Sequence, residues 1–247
     1  MPEYHGDLTE QRWFDSLKDY SFAAVIETYY RLMAMAEGAT IWGDKTPQYL
    51  TNIALLKSLY GSARFIHMVR DVRDVVVSNQ RAWGAHPLRC AQVWADQLLE
   101  CVTQSSKLPA GEFLTVRYES LLTDTEGVLR QACQLMGVDF ENGMLSLDRP
   151  VETVGRARQA GIAKANFGKW RDALSSEQVA MIESVALDTM NALEYETSDS
   201  RSRKRIGKTM MSWLKVRGVI GRFAYDVGEQ DGLIKALVYR YNKRRYR

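Results

Sequence analysis

Arg70, Asp71, Arg73 and Asp74 crowd five positions, and Ser78 stands eight residues after Arg70. They close the run "RFIHMVRDVRDVVVSNQ", residues 64–80, in which a short apolar segment leads straight into charge. An arginine at the end of a buried segment needs an anion, from the protein or from a ligand. Three readings compete for Arg70. Pairing with Asp71, Asp74 or another carboxylate makes it structural. A solvated helix start suits Arg73 and Asp74 better than Arg70. A phosphate suits the guanidinium fork, and a strand end that faces a helix N-terminus is an anion site. Ser78 sits two turns into a helix amid valines, where a serine adds nothing to packing. Its hydroxyl either bonds its own backbone or joins Arg70 around one phosphate, and the spacing favours the phosphate.

These residues need a strand and a helix to hold them. "FIHMV", residues 65–69, reads as a short strand buried on both faces, and Val72 to Trp83 reads as a helix. Upstream, Thr46-Pro47 opens a helix with Thr46 as N-cap and Pro47 as first helical residue. Ile53, Leu55, Leu56 and Leu59 carry it toward a stop at Gly61. Downstream, a helix runs from about Leu88 to Lys107, and "FLTVRYE" at Phe113 to Glu119 reads as a second strand. Thr123 to Glu126 reads as a capping box for a helix that ends near Met136 before Gly137, and Ser175 to Gln178 as another for a helix through about Leu193. Alternating strands and helices predict an α/β fold, a parallel sheet flanked by helices. Ligands of such sheets bind at the carboxyl ends of the strands, where Arg70 and Tyr118 fall.

Apolar residues make up 46% and charged residues 26%, the balance of a globular protein. No run of about 18 apolar residues is present to span a membrane, and the polar, acidic start "MPEYHGDLTEQRWFDSLKDY" is unlike a signal peptide. Cys90, Cys101 and Cys133 show no C-x-x-C pairing, which argues against metal or disulfide roles and suits a reducing cytoplasm. Cys90 and Cys101 read as small apolar packing residues.

The net charge of +3 conceals an asymmetry: from Arg201 onward 14 Lys/Arg stand against 3 Asp/Glu, a net +11, and the first 200 residues carry −8. We expect an α/β domain over residues 1–195, a linker over 196–205 ("ETSDSRSRKR") and a basic amphipathic helical tail over 206–247. The tail segments "KTMMSWLKVRGVIGRFAYDVG" and "DGLIKALVYRYNKRRYR" interleave apolar and basic residues. Helical spacing is expected to put the apolar residues on one side and the basic ones on the other. Packing on the body with a charged outer face is the first reading. An interfacial helix on an anionic membrane surface is the second. No RNP-like, helix-turn-helix or zinc pattern supports nucleic acid as a partner.

"FIHMVRDVRDVVVSNQ" resembles the 3′-phosphate-binding segment of the sulfotransferases that use 3′-phosphoadenosine 5′-phosphosulfate: a strand, Arg, a short turn, then Ser eight residues on. The family's turn often contains Pro where this chain has Val72. "WGDKTPQYL", residues 42–50, resembles the family's Asp/Glu-Lys-Thr/Ser-Pro segment; "VRYESLLTD" resembles the strand whose Tyr lies near the adenine; and "AKANFGKWRD" resembles the late loop ending Gly-x-Trp-Arg/Lys. Four segments in the right order make the match specific. The resemblance implies Arg70 and Ser78 on the 3′-phosphate, Tyr118 near adenine, Lys164 as a phosphate-binding helper and Lys45 on transition-state charge. Ala163 stands where some members carry an arginine. The alternative for Lys45 is a surface lysine paired with Asp44. The implied reaction is sulfuryl transfer from the nucleotide donor to a hydroxyl or amine acceptor, with no metal.

The family also begins with a strand and a Gly/Ser/Thr-rich loop that cradles the 5′-phosphosulfate. Residues before Trp42 contain nothing like it and read as helices, so the expectation is a domain incomplete at its N-terminus and inactive as this chain alone. A non-catalytic nucleotide- or partner-binding remnant, or a membrane-surface interaction protein, are the rival readings. The histidines do not fill the gap. His67 reads as a satisfied core histidine, His86 as a residue after the Ser78 helix that faces a pocket at most, and His5 as part of a mobile end.

Overall fold

Two parallel strands, β1 (Phe65–Val69) and β2 (Phe113–Arg117), pair in register, with Phe65 opposite Phe113 and Val69 opposite Arg117. The computed structural model describes residues 10–146, 165–198, 204–229 and 232–235. The chain divides into two compact units, Met1–Ala63 and Arg64–Arg247.

The first unit is helical. It holds α1 (Glu10–Asp15), α2 (Phe22–Ala36), a 3-10 turn over Pro47–Thr51 and α3 (Ile53–Leu59). Ser21 caps α2 by accepting the Ala24 N–H at 3.2 Å. Trp42 stacks on Tyr30 with ring centroids 4.9 Å apart and meets Tyr60 edge-on. The helix expected to start at Thr46-Pro47 is there only as the 3-10 turn. Thr46 Oγ1 donates to Asp44 Oδ2 at 3.1 Å and makes no capping bond to the turn. Asn52 leaves helical geometry at φ −130°, so the α-helix restarts at Ile53.

In the second unit each strand feeds a helix. β1 leads into α4 (Val72–Trp83), then α5 (Pro87–Ser105). β2 leads into α6 (Tyr118–Thr123) and α7 (Thr125–Met136), and the chain ends through α8 (Trp170–Ala173), α9 (Ser176–Ala192) and α10 (Lys208–Glu229). Helices α4, α5 and α9 pack on one another through Val76, Ala91, Leu98, Ile182 and Met190, all buried. This is the expected α/β arrangement of a parallel pair with helical crossovers. The bounds of α4 come from local chemistry. Asp71 accepts the Arg73 N–H at its start, and Gly84 adopts the left-handed conformation at its end, φ 61°. Ser175 and Gln178 form both bonds of a capping box on α9.

Four further expectations are corrected. β1 is not buried on both faces: Ile66 and Met68 are 44% and 51% exposed, while His67 and Val69 point inward. The second strand stops at Arg117, and Tyr118 begins a helix. The cap of α7 is Asp124, whose carboxylate accepts the Gly127 N–H at 3.0 Å, one residue after the expected Thr123. Finally, Arg73 and Asp74 are not a solvated helix start; both are buried.

Arg73 is held in a cluster of opposite charge. Its Nη2 lies 2.6 Å from Asp71 Oδ2 and its Nη1 2.7 Å from Glu183 Oε1 on α9. Glu183 Oε2 in turn accepts from the amide and hydroxyl of Ser198. Burial opposes the guanidinium charge, but Asp71 and then Glu183 outweigh it, and its pKa is raised. Removing the cation leaves two carboxylates without it in the interior. Arg73→Ala is therefore expected to cost about 3–5 kcal/mol in urea unfolding, whereas Arg130→Ala, which breaks an exposed pair with Glu126, should cost under about 1 kcal/mol. Equal costs would show that the buried cluster is not a determinant of stability.

Candidate functional site

The carboxyl ends of β1 and β2 are adjacent, and the first residues beyond the two strands meet there. Arg70 leaves β1 and lays its guanidinium over the Tyr118 ring, 4.7 Å from the centroid. Its Nη2 donates to the Asn166 carbonyl at 2.8 Å and lies 3.9 Å from Asp74 Oδ2. Its Nε is buried and has no hydrogen-bond partner among the described residues. The side chain keeps 23% exposure, so it is anchored yet reachable. The Arg70 carbonyl accepts from Trp94 Nε1 at 3.1 Å, and the Asp71 N–H donates to Glu119 Oε1 at 2.9 Å. The peptide unit that follows the arginine is thereby held at both its carbonyl and its N–H. Tyr195 donates to the other Glu119 oxygen at 3.0 Å; burial first, and that carboxylate second, raise the Tyr195 pKa well above its ordinary range.

Asp74 organises the loop above. One of its oxygens accepts the Gly168 N–H at 2.6 Å and the other the Trp170 N–H at 3.0 Å. Gly168 takes φ 70°, which its missing Cβ permits. Asn166 Nδ2 donates to the Tyr118 hydroxyl at 2.8 Å, and Lys169 Nζ to Asn166 Oδ1 at 2.7 Å. The Trp170 ring lies 4.0 Å from the Arg73 guanidinium. The late loop is thus tied to α4 by two amides and to Arg70 and Tyr118 by Asn166. Arg70, Lys169 and Arg171 bring positive charge to this end of the strands.

The residues expected to bind do not all converge. Arg70 and Tyr118 are in contact, and Arg70 covers a face of the ring expected near adenine. Ser78 is exposed on α4, about 6 Å along the axis beyond Asp74, and its hydroxyl makes no hydrogen bond among the described residues. Lys164 lies outside the described residues. Lys45 is exposed in the first unit, and Asp44 beside it accepts from Thr46. Asp74, Asn166 and Glu119 were missed as positioning groups. Asp74 had a signal, the i,i+4 spacing from Arg70; Asn166 acts across 96 residues and had none. A groove of about 440 Å³ lined by Thr115, Arg117, Ser120, Asp124 and Gln131 includes neither Arg70 nor Tyr118. Burial pushes the Cys101 thiol up to about 11 and also raises that of Cys90, which leaves neither poised as a nucleophile.

His67 is a core residue, but its Nε2 has no partner among the described residues, where a satisfied histidine was expected. His86 precedes α5 as its N-terminal cap residue, with Nδ1 buried and likewise unpartnered among the described residues. Burial lowers the His67 pKa from 6.5 to about 4. The folded protein therefore keeps His67 neutral while the unfolded chain protonates it, and stability falls as pH drops from 6.5 toward 4. The loss is roughly 3 kcal/mol at most. His67→Leu should flatten the slope in that window in acid-dependent unfolding. An unchanged slope would rule out a neutral buried imidazole.

Known proteins share sequence and fold with this chain. The model of the sulfotransferase family matches residues 5–142. Sulfotransferase 2A1 of Rattus norvegicus is 25% identical over 156 residues, 56% of this chain and 54% of that protein. Sulfotransferase 2A6 of the same organism is 24% identical over the same shares. The sulfotransferase domain from the Synechococcus PCC 7002 olefin synthase superposes with a TM-score of 0.52 at 26% identity, covering 66% of this chain and 64% of that one. The chain spans about half the length of the curated relatives it matches.

Proposed function

Because the chain belongs to the sulfotransferase family, we propose that it serves sulfuryl transfer from 3′-phosphoadenosine 5′-phosphosulfate to a hydroxyl or amine acceptor, with Arg70 and Ser78 as the 3′-phosphate site. The observation that carries this reading is the Arg70 guanidinium. It is held at the end of β1 by Tyr118 and Asn166, with Asp74 3.9 Å away, and its buried Nε lacks a partner among the described residues. Asp71 and Glu183 are committed to Arg73, so Arg70 keeps donors for an outside anion. Two features suit a phosphate, the planar fork and its place beside the positive end of α4; Ser78 enters as the proposed second ligand, from the helix that follows.

The donor, when bound, supplies the sulfuryl group and a phosphate leaving group. Arg70 and Ser78 hold and orient, Tyr118 packs beside the base, and Lys164 adds charge to the phosphates. Free cysteines suit the cytoplasm as the compartment.

The chain should bind 3′-phosphoadenosine 5′-phosphate better than adenosine 5′-phosphate in calorimetry. Arg70→Ala should remove that preference, at about 2–3 kcal/mol for a charge-assisted pair. Equal affinity of the unaltered protein for the two nucleotides would dismiss the site.

A second reading, nucleotide binding without turnover, is favoured by one observation. Residues 1–41 hold no Gly/Ser/Thr-rich loop, and their regular elements among the described residues are α1 and α2. On this reading the 247-residue chain alone transfers little or no label from a radiolabelled donor. Multiple turnovers by this chain would exclude it.

A further inference from the structure

Helix α10 buries its narrow side and displays its wide apolar side. Leu214 is 4% exposed, and the helix packs against α5. Gly218 approaches the turn between α4 and α5, where a Cβ would lie 3.8 Å from the Gly84 carbonyl oxygen and 3.9 Å from the His86 nitrogen. Met210, Trp213, Val216, Val219 and Ile220 are each more than half exposed. At 100° per residue Trp213, Val216, Val219 and Ile220 share an arc opposite Leu214 and Gly218, while Met210 lies one turn from Leu214 at the margin of the packed side. Lys208 and Lys215 border that arc on one side, and Arg217 lies at its other edge with its guanidinium 5.2 Å from the Trp213 ring centroid. The expected split, apolar side against the body and basic side outward, is therefore corrected: apolar residues line both sides, and the basic ones rim the outer face.

We propose that this outer face of α10 is a docking surface for an anionic lipid bilayer. Charge selects the occupant. No Asp or Glu occurs from Arg201 to Tyr225, and the segment from Arg201 to Arg247 carries +11. A second copy of the chain docked face to face brings two such segments together, which like charge opposes. A nucleic acid leaves Val216, Val219 and Ile220 in water. An anionic bilayer satisfies both features, with apolar side chains and the Trp213 ring at the acyl boundary and lysines among the headgroups. No described helix is long and apolar enough to cross a membrane, so α10 lies along the surface.

The test is flotation of the full 247-residue protein with vesicles of phosphatidylcholine alone or mixed with phosphatidylglycerol. Binding is expected only with phosphatidylglycerol, and it should fade as salt shortens the Debye length. Two double variants, Val216→Glu/Ile220→Glu and Lys208→Glu/Lys215→Glu, alter exposed residues only and should each weaken binding at least about tenfold with unchanged melting curves. If one variant misfolds, the other decides. Quenching by bromine-labelled lipid, read as the difference between the unaltered protein and Trp213→Phe, reports on the face without changing its charge. The proposal is overturned by absent binding, by equal binding to neutral vesicles, by undiminished binding of the folded variants, or by concentration-dependent dimers that Val216→Glu/Ile220→Glu abolishes while vesicles stay unbound. Nucleotide calorimetry at Arg70 is independent of all these outcomes.

Discussion

A buried positive charge on Arg73 sets the terms for everything around it. Two carboxylates hold it, Asp71 on its own turn and Glu183 on α9, and the gross cost of burying all three is large. Such a cluster adds little net stability compared with an apolar core, but it admits few geometries. It fixes the first turn of α4 against α9 and commits Asp71 and Glu183 to Arg73. Arg70, three residues earlier, is left with a distant contact to Asp74, a carbonyl and an aromatic face. The same five residues thus divide into an inward pair that satisfies itself and an outward arginine that does not.

That division links the fold to the chemistry of the family. Asp74 makes no close pair with Arg70; its two oxygens are taken by Gly168 and Trp170 amides. The late loop is held over the strand ends by the same helix turn that presents Arg70. Asn166 completes the link, touching both Arg70 and the Tyr118 hydroxyl. A substitution in the loop therefore acts on the arginine through backbone position as well as through direct contact.

Local signals were the readable part of the sequence. Val72–Trp83 is α4 as expected, Ser175 and Gln178 form their capping box, and "FIHMV" is β1 residue for residue. Arg70 and Tyr118 were placed at strand ends, and they meet there. Features set by distant parts of the chain were not readable. Arg73 reads as solvated until Glu183, 110 residues away, is brought beside it. Ile66 and Met68 read as buried because an apolar run does not say how many layers cover a strand. Thr46 failed as a cap because Asp44 accepts its hydroxyl proton, and Thr123 because Asp124 competes at the next position. The outward apolar face of α10 was invisible because periodicity shows that faces exist, not which one the body takes.

The most direct measurement of the Arg70–Arg73 division is NMR of the arginine Nε–H groups during titration with 3′-phosphoadenosine 5′-phosphate. The Arg70 resonance, assigned by its loss in Arg70→Lys, should move strongly as its buried Nε–H gains an acceptor. The Arg73 resonance should stay in place, because its Nε–H is already bonded to Asp71 at 3.0 Å. An unmoved Arg70 with a shifted Arg73, or no shift in either at nucleotide saturation, would contradict it.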